Sequence, residues 1–250
     1  MRADIIWLAS TDSTNEEAKR RISDIDNLSV VSALEQTQGR GQRGNTWSSN
    51  TGENLTFSLI LKSIGIQARN QFILTEFASL SIVEFLVRHG IEAHIKWPND
   101  IYVGSGKICG ILIENSIRGD HISESIIGIG LNINQRNFEE WIPNPTSMSL
   151  CTKETTFDIR LCLEELTDIF RTNAELYIRN QQSTELNKLR DEYISRLWLK
   201  DEQAVFNDIR ESKEFKGIIR NISPVGHLLV EDIEKGELIE FAFKEIAYMI

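Results

Sequence analysis

The pattern of hydrophobic and polar positions divides the chain into two parts near residue 198. Before that point, apolar residues at helical spacing predict long helices over residues 67–89 and 157–180 and a further helix over 183–197. Short apolar runs between these helices are typical of strands. The predicted strands cover residues 5–9, 28–34, 54–61, 91–96, 101–103, 107–114 and 125–133.

After residue 198 the pattern contains only short strands and turns. Apolar segments at 215–222, 227–232 and 238–243 are separated by glycine-containing turns. Short strands at this spacing, over about fifty residues, are typical of a compact β-barrel. We therefore predict an α+β domain over residues 1–198, with a mixed sheet and packed helices, followed by a small barrel over residues 199–250.

Composition and charge narrow the class of protein. The 250 residues are 41% hydrophobic, as in ordinary globular proteins, and carry a formal net charge of −10. A nucleic-acid binder usually has a basic face, so the charge argues against that class. The three cysteines and four histidines follow no disulfide or zinc spacing. With no signal peptide and no run of about 20 apolar residues, the sequence predicts a cytoplasmic protein without a membrane span.

A glycine-rich basic loop over residues 38–47 is the first candidate for chemistry. Its three glycines allow positive φ and a close approach to a ligand. Arg40 and Arg43 offer guanidinium donors suited to phosphate or carboxylate, and Trp47 offers a face on which a base can stack. The glycine spacing matches neither a P-loop nor a dinucleotide fingerprint. A surface turn with solvated arginines remains the alternative.

The segment Lys96-Trp97-Pro98-Asn99-Asp100 follows a predicted buried strand. A lysine at such a strand end is a candidate for the positive charge that stabilises a reacting phosphate. The alternative is a lysine whose stem packs on apolar surface while its amine reaches solvent. From these residues alone, the alternative is favoured.

Glycines interrupt two of the predicted strands. Gly110 follows Lys107 in an apolar strand, which indicates close approach of a ligand or merely a bulge. Gly128 and Gly130 leave a gap into which a flat ligand could fit, with Asn132 placed to bond a polar edge. A tight contact within the sheet explains the same residues equally well.

Ser13 and Glu16 fit a capping box, in which each side chain satisfies a free N–H group at a helix start. This motif predicts a short helix that runs to about Ile22. Capping alone would account for Ser13 and Thr14.

The order and spacing of these segments resemble the biotin–protein ligase family over nearly the whole chain. The matching segments are Ser13-Thr14-Asn15, Gln36, Gly39 to Gly44, Trp47, Lys96 to Asp100, Lys107 with Gly110-Ile111-Leu112, and Gly128 to Asn134. The resemblance implies a catalytic domain of the class II synthetase type. The strands after residue 198 resemble the family's SH3-like C-terminal domain.

The resemblance implies an ATP-dependent reaction in two steps. The biotin carboxylate attacks the α-phosphate of ATP, which gives biotinyl-5′-adenylate and pyrophosphate. A lysine of a biotin carboxyl carrier domain then attacks the mixed anhydride, and AMP leaves. Because two anions must meet, cations must offset their repulsion. We expect Lys96 to supply the central positive charge between the carboxylate and the α-phosphate. We expect Arg40 and Arg43 to bind the carboxylate and phosphate oxygens.

The resemblance also implies two sets of binding residues. The predicted biotin-binding residues are Ser13, Thr14, Asn15, Gln36, Gly39, Arg40, Lys107, Gly110, Gly128 and Gly130. The predicted ATP-binding residues are Arg40, Gln42, Arg43, Trp47, Lys96 and Asn132. No metal site is assigned within the protein, and Mg²⁺ is expected with ATP near Asn132. The expected acceptor is a carboxylase's carrier domain, the expected state is a monomer or homodimer, and no nucleic acid or membrane is expected as a partner.

One residue departs from the family's pattern, because Gln42 stands where arginine is common. Glutamine keeps hydrogen bonding but loses a charge, which bears on how tightly the adenylate is held. The matching segments begin almost at residue 1, so a DNA-binding domain and a repressor function are not expected.

Several other functions remain open. A lipoate–protein ligase would run the same chemistry on a different acid, but its arginine-arginine and triple-glycine signature is not seen. An octanoyl transferase would need a cysteine nucleophile, and Cys109 lies in an apolar strand. A non-catalytic binder of biotin or nucleotide, or a structural protein, would release no pyrophosphate from ATP.

Overall fold

The structure is a computed structural model that describes residues 4–153 and 156–249, and of Arg43 only the backbone. The strands before residue 198 are β1 (Ile5–Thr11), β2 (Val30–Gln36), β3 (Leu55–Lys62), β4 (His94–Lys96), β5 (Asp100–Val103), β6 (Gly106–Arg118) and β7 (His121–Leu131). The helices are α1 (Thr14–Arg20), α2 (Phe72–Arg88), α3 (Met148–Cys151), α4 (Ile159–Asn173) and α5 (Ser183–Ser195). The remaining strands are β8 (Gln203–Asp208), β9 (Lys213–Ile222), β10 (Leu228–Asp232), β11 (Glu237–Phe241) and β12 (Ile246–Tyr248).

The first seven strands form one sheet in the order β1-β2-β3-β7-β6-β5-β4. β1 runs parallel to β2, and every other neighbouring pair is antiparallel, so the predicted mixed sheet is confirmed. The last five strands form an antiparallel sheet in the order β11-β10-β9-β8-β12, consistent with the predicted small barrel. The domain boundary near residue 198 stays a prediction.

Helices cover both faces of the seven-stranded sheet. On one face, Leu55, Phe57 and Leu59 of β3 join the core formed with α2 and α4, where Phe57 meets Phe170 with ring centroids 6.3 Å apart. On the other face, α1 packs on the middle strands over a smaller apolar cluster that includes Ile60. Side chains alternate between faces along a strand, so β3 serves both cores.

Helix α2 lies in the larger core. Together with the preceding turn it spans Ala68–Arg88, which is long and apolar enough to cross a membrane by length and composition, contrary to the sequence analysis. In the structure 61% of the apolar 18-residue stretch within this segment is buried, and the helix packs among the sheet, α4 and α5. Burial of this kind is what a core helix shows.

Three predictions from local sequence differ from the structure. Ser13 does stand at the N-cap of α1, but its side chain makes no capping hydrogen bond, so the predicted capping box is wrong. The strand predicted over 91–96 is confined to His94–Lys96. Strands β8 and β12 were missed, because only tertiary pairing with each other and with β9 defines them.

A turn of the C-terminal sheet packs against elements that precede residue 198. The Trp97 indole donates to the carbonyl of Gly226 at 2.9 Å, and a Cβ at Gly226 would overlap the Phe72 ring. Arg190 donates to the carbonyl of Ser223 at 3.0 Å and pairs with Glu76, which is 1% exposed. Burial raises the pKa of Glu76 to about 7, against the opposing effect of Arg190. These contacts fix the C-terminal sheet beside the segment that begins at Lys96.

Candidate active site

A cleft lies between the start of α1, the glycine-rich loop and strands β6 and β7. The lining residues are Ser13, Thr14, Asn15, Gln36, Arg40, Gly41, Gln42, Trp47, Asn99, Asp100, Lys107, Gly110, Ile111, Leu112, Gly128, Ile129 and Gly130.

Buried polar groups form one end of the cleft. The backbone N–H of Thr14 donates to Gln36 Oε1 at 2.8 Å, and the Thr14 hydroxyl lies 3.2 Å from the same oxygen. The Ser58 hydroxyl lies 2.8 Å from Thr14 Oγ1 and 2.6 Å from Asn15 Oδ1, while Asn15 Nδ2 donates to Glu114 at 2.7 Å. Their mutual hydrogen bonds fix the orientation of these side chains. This end therefore offers fixed donors and acceptors to a small polar ring.

Glycines form the floor, and Trp47 lies on it. A Cβ at Gly130 would overlap the Trp47 ring, and one at Gly110 would lie 2.9 Å from its Cζ3. At Gly128 a Cβ would overlap the Asn15 amide. The Trp47 indole N–H is buried without a hydrogen-bond partner among the described residues. Only glycine permits this approach, and the ring lies in space that a ligand on the glycine floor would need.

Lys107 lies at the centre of the cleft. Its amine is 2.8 Å from Asp100 Oδ1 and 5.7 Å from the centre of the Trp47 ring. Both members of the ion pair are about one-quarter exposed, so the amine can meet a ligand while Asp100 holds it in place. Asp100 begins β5, two residues after Pro98 of the Trp97–Pro98 cis peptide.

Lys96, to which the sequence analysis assigned the central charge, lines neither this cleft nor the neighbouring cavity. Its amine donates to the Tyr102 hydroxyl at 3.0 Å and lies among the rings of Tyr102, Trp198 and Tyr248. Burial lowers the pKa of Lys96. The structure thus places Lys107, and not Lys96, among the residues that line the two cavities, and the role predicted for Lys96 stays a prediction.

The basic loop closes one side of the cleft. Its base is fixed by hydrogen bonds from the Trp47 N–H to the Gly39 carbonyl at 3.0 Å and from Gly41 to Asn45 at 2.7 Å. Arg40 is half exposed and pairs with Glu16 of α1 at 2.7 Å. The Arg43 side chain, for which a role at the carboxylate and phosphate oxygens is predicted, lies outside the described part of the structure.

A second cavity of about 460 Å³ adjoins the first and shares Trp47 and Lys107 with it. Its other lining residues are Gly44, Asn45, Thr46, Ser48, Asn132, Phe138, Trp141, Ile142, Pro143 and Pro145. The predicted ATP residue Asn132 does face this cavity, but its Nδ2 donates to the Thr146 carbonyl at 2.9 Å. The aromatic and proline-rich wall suits a flat base.

The structure brings together most, but not all, of the predicted residues. Every predicted biotin-binding residue except Gly39 lines the cleft, although binding itself stays a prediction. Sequence reasoning missed Ser58, Asp100 and the wall around Trp141. Ser58 could have been found, because it is a small polar residue within an otherwise apolar strand. The irregular segment around Trp141 has no comparable feature in the sequence.

Comparison with known proteins gives the family. Residues 7–132 match the Biotin/lipoate A/B protein ligase family. The bifunctional ligase/repressor BirA of Salmonella typhimurium is 29% identical over 231 residues, which cover 88% of this chain and 67% of that protein. The biotin–[acetyl-CoA-carboxylase] ligase of Paracoccus denitrificans is 34% identical over 128 residues, covering 50% of this chain and 53% of that protein.

A solved structure agrees with this over nearly the whole chain. The biotin protein ligase from Aquifex aeolicus, in complex with biotin and ATP, superposes with a TM-score of 0.79 at 25% identity, covering 98% of this chain and 97% of the other. The chain belongs to the Biotin/lipoate A/B protein ligase family. The predicted enzyme class, a biotin–[acetyl-CoA-carboxylase] ligase, is confirmed by the relatives and structures of that class, and so is the predicted fold.

Proposed function

We propose that the protein joins biotin to ATP as biotinyl-5′-adenylate and then transfers biotin to a lysine of a carrier protein. The observation that carries this proposal is the position of Lys107, whose side chain lines both the glycine-floored cleft and the aromatic cavity. A cation at the junction of two ligand sites is what the meeting of a carboxylate and a phosphate requires.

Biotin fits the first cleft. Its ureido ring needs both donors and acceptors, which the hydrogen-bonded group of Thr14, Asn15 and Gln36 supplies. The apolar valeryl chain would lie along the glycine floor, with its carboxylate towards Lys107. In the present structure Trp47 lies on that floor, so we expect its ring to move aside and cover the bound chain.

ATP fits the second cavity. The adenine would lie against Trp141 and the neighbouring apolar wall, and the α-phosphate would lie towards Lys107. Mg²⁺ would enter with ATP, and the Asn132 side-chain oxygen in this cavity is of the hard oxygen type that Mg²⁺ binds. Among the described residues, no group of three His, Cys, Asp or Glu side chains could hold a metal by itself.

The chain's own residues would act on charge and position. Lys107, held by Asp100, offsets the repulsion between the carboxylate and the α-phosphate and the charge that develops on the phosphoryl oxygens. Arg40 is available to the same anions once it leaves Glu16. A closed loop would exclude water from the mixed anhydride. The role that the sequence analysis gave to Lys96 is therefore transferred to Lys107.

The acceptor is a biotin carboxyl carrier domain in this proposal, as the name of the Paracoccus relative suggests. Its uncharged lysine amine would attack the carbonyl carbon of the adenylate, and AMP would leave. Absence of DNA binding and a cytoplasmic location stay predictions of the sequence. Cys109 is a poor candidate for an acyl-transfer nucleophile, because burial strongly raises the pKa of its thiol.

The test is pyrophosphate release from ATP-Mg²⁺ with biotin, lipoate, octanoate or no acid. We expect release with biotin only, because the polar end of the cleft suits a ureido ring. Release with lipoate alone would keep the mechanism and change the substrate. Folded protein that releases none with any acid would contradict the proposal.

Gln42→Arg is expected to slow dissociation of the adenylate about tenfold or more, because Gln42 lines the cleft where a guanidinium would reach an anion. Gln42→Glu is the matched control, which should speed dissociation by repulsion. Dissociation is measured by chasing enzyme-bound radiolabelled adenylate with unlabelled ligand. Equal rates for the three proteins would show that residue 42 does not face the anion.

A further inference from the structure

Lys96 lies in an aromatic cage built by both parts of the chain. Its amine is 4.6 Å from the ring centre of Tyr102, 5.4 Å from that of Trp198 and 5.0 Å from that of Tyr248. Tyr102 belongs to β5, beside the cleft, whereas Tyr248 belongs to β12, the last strand of the C-terminal sheet. The rings also pack on one another, with centroids of Tyr102 and Trp198 5.1 Å apart and those of Trp198 and Tyr248 5.8 Å apart.

No carboxylate forms a direct ion pair with this buried amine among the described residues, although the charge of Asp100 favours its charged form from further away. Within the described part of the chain, the one hydrogen bond of this amine goes to the neutral Tyr102 hydroxyl, and no acidic oxygen lies within 4.0 Å of it. The faces of aromatic rings attract a cation, so three rings can hold the ammonium where ion pairing does not. The three rings are therefore the groups that surround the Lys96 amine directly and hold it in place.

The cage adjoins the catalytic ion pair. Lys96 and Asp100 are directly opposed across β4 and β5, so their side chains leave the sheet on the same face. Asp100 in turn holds the Lys107 amine at 2.8 Å. A change in where the Lys96 charge lies would therefore change the field at Asp100 and the position of Lys107.

We propose that Tyr248 is a positioning residue for the active site, because its ring completes the cage that fixes Lys96 beside the Asp100–Lys107 pair. This inference rests on the proposed function and adds to it a role for the last strand of the chain. The Tyr248 hydroxyl is buried and has no hydrogen-bond partner among the described residues. Tyr248 therefore acts through the contact of its ring with the Lys96 amine, and not through its hydroxyl.

The experiment compares Tyr248→Leu with the conservative Tyr248→Phe, and Lys96→Met with Lys96→Arg. Biotin-dependent pyrophosphate release and biotin affinity are measured on protein shown to be folded by circular dichroism. We expect Tyr248→Leu and Lys96→Met each to lower kcat about tenfold with little change in biotin affinity. Tyr248→Phe keeps the ring, and Lys96→Arg keeps a cation that stacks on rings, so each should rescue most of the loss.

The double variant Tyr248→Leu with Lys96→Met decides whether the two residues act together. If both residues act through the same cage, the double variant should be no slower than the slower single variant. Additive losses, or equal rates for the leucine and phenylalanine variants, would overturn the proposal. A loss in Lys96→Met far beyond that in Tyr248→Leu would also overturn it, because Lys96 would then touch the substrate itself.

A second readout does not depend on the reaction. Reductive methylation followed by mass spectrometry measures the access of reagent to the Lys96 amine. Protection in the wild-type and Tyr248→Phe proteins, with faster labelling in Tyr248→Leu, is expected from the cage. Equal labelling in all three proteins would overturn the proposed cage but not the proposed function. A wild-type protein whose Lys96 is protected but which releases no pyrophosphate would overturn the proposed function.

Discussion

Lys107→Met is expected to lower the rate of biotin-dependent pyrophosphate release by about 10²- to 10³-fold, because it removes the cation at the junction of the two ligand sites. Methionine keeps most of the side chain's length and its apolar stem. The loss should therefore fall on kcat rather than on folding. Rates are measured with saturating biotin and ATP-Mg²⁺, and folding is checked by thermal unfolding.

Two further variants make the result interpretable. Lys213→Met removes a positive charge from an exposed position of the C-terminal sheet and should leave the rate unchanged. Lys107→Arg keeps the charge but changes its shape, so partial activity is expected. A near-normal rate in Lys107→Met would remove this residue from the mechanism and return Lys96 to consideration.

The choice between the two lysines shows where sequence reasoning stops. Lys96 and Lys107 both lie beside apolar strand residues in distinctive segments, and nothing local tells them apart. The structure separates them through the pairing of β4, β5 and β6, which turns Lys107 towards Trp47 and leaves Lys96 among the rings that include Tyr248. Register across strands and a partner from the end of the chain decide this, and neither is visible in a local pattern.

Other parts of the site could be predicted because their physical signal is local. Gly128 and Gly130 interrupt the apolar second half of β7, and a strand that lacks side chains at alternate positions must leave room on one face. The long helices and the change to short strands follow from periodicity alone. In contrast, Trp97 stands in a distinctive segment yet serves the junction with the C-terminal sheet, through the Gly226 carbonyl.

Gly130→Val is expected to weaken biotin binding by about 100-fold or more, because a side chain at this position would stand in the cleft. A Cβ there would already overlap the Trp47 ring, and valine adds two methyl groups to it. The cost to folding should be small, since the new side chain points to the cleft and valine favours a strand. Isothermal titration with biotin measures the affinity, and thermal unfolding measures stability.

The cause of that loss can be tested within the same strand and loop. Ser125→Ala is the control, because its buried hydroxyl on β7 has no hydrogen-bond partner among the described residues and its removal should leave biotin affinity unchanged. Combining Gly130→Val with Trp47→Ala separates two explanations. If valine fills the space of biotin's own chain, the combination should bind no better than Gly130→Val alone. If the loss arose only from the displaced indole ring, the combination would bind as well as Trp47→Ala, and the glycine floor would not be the biotin site.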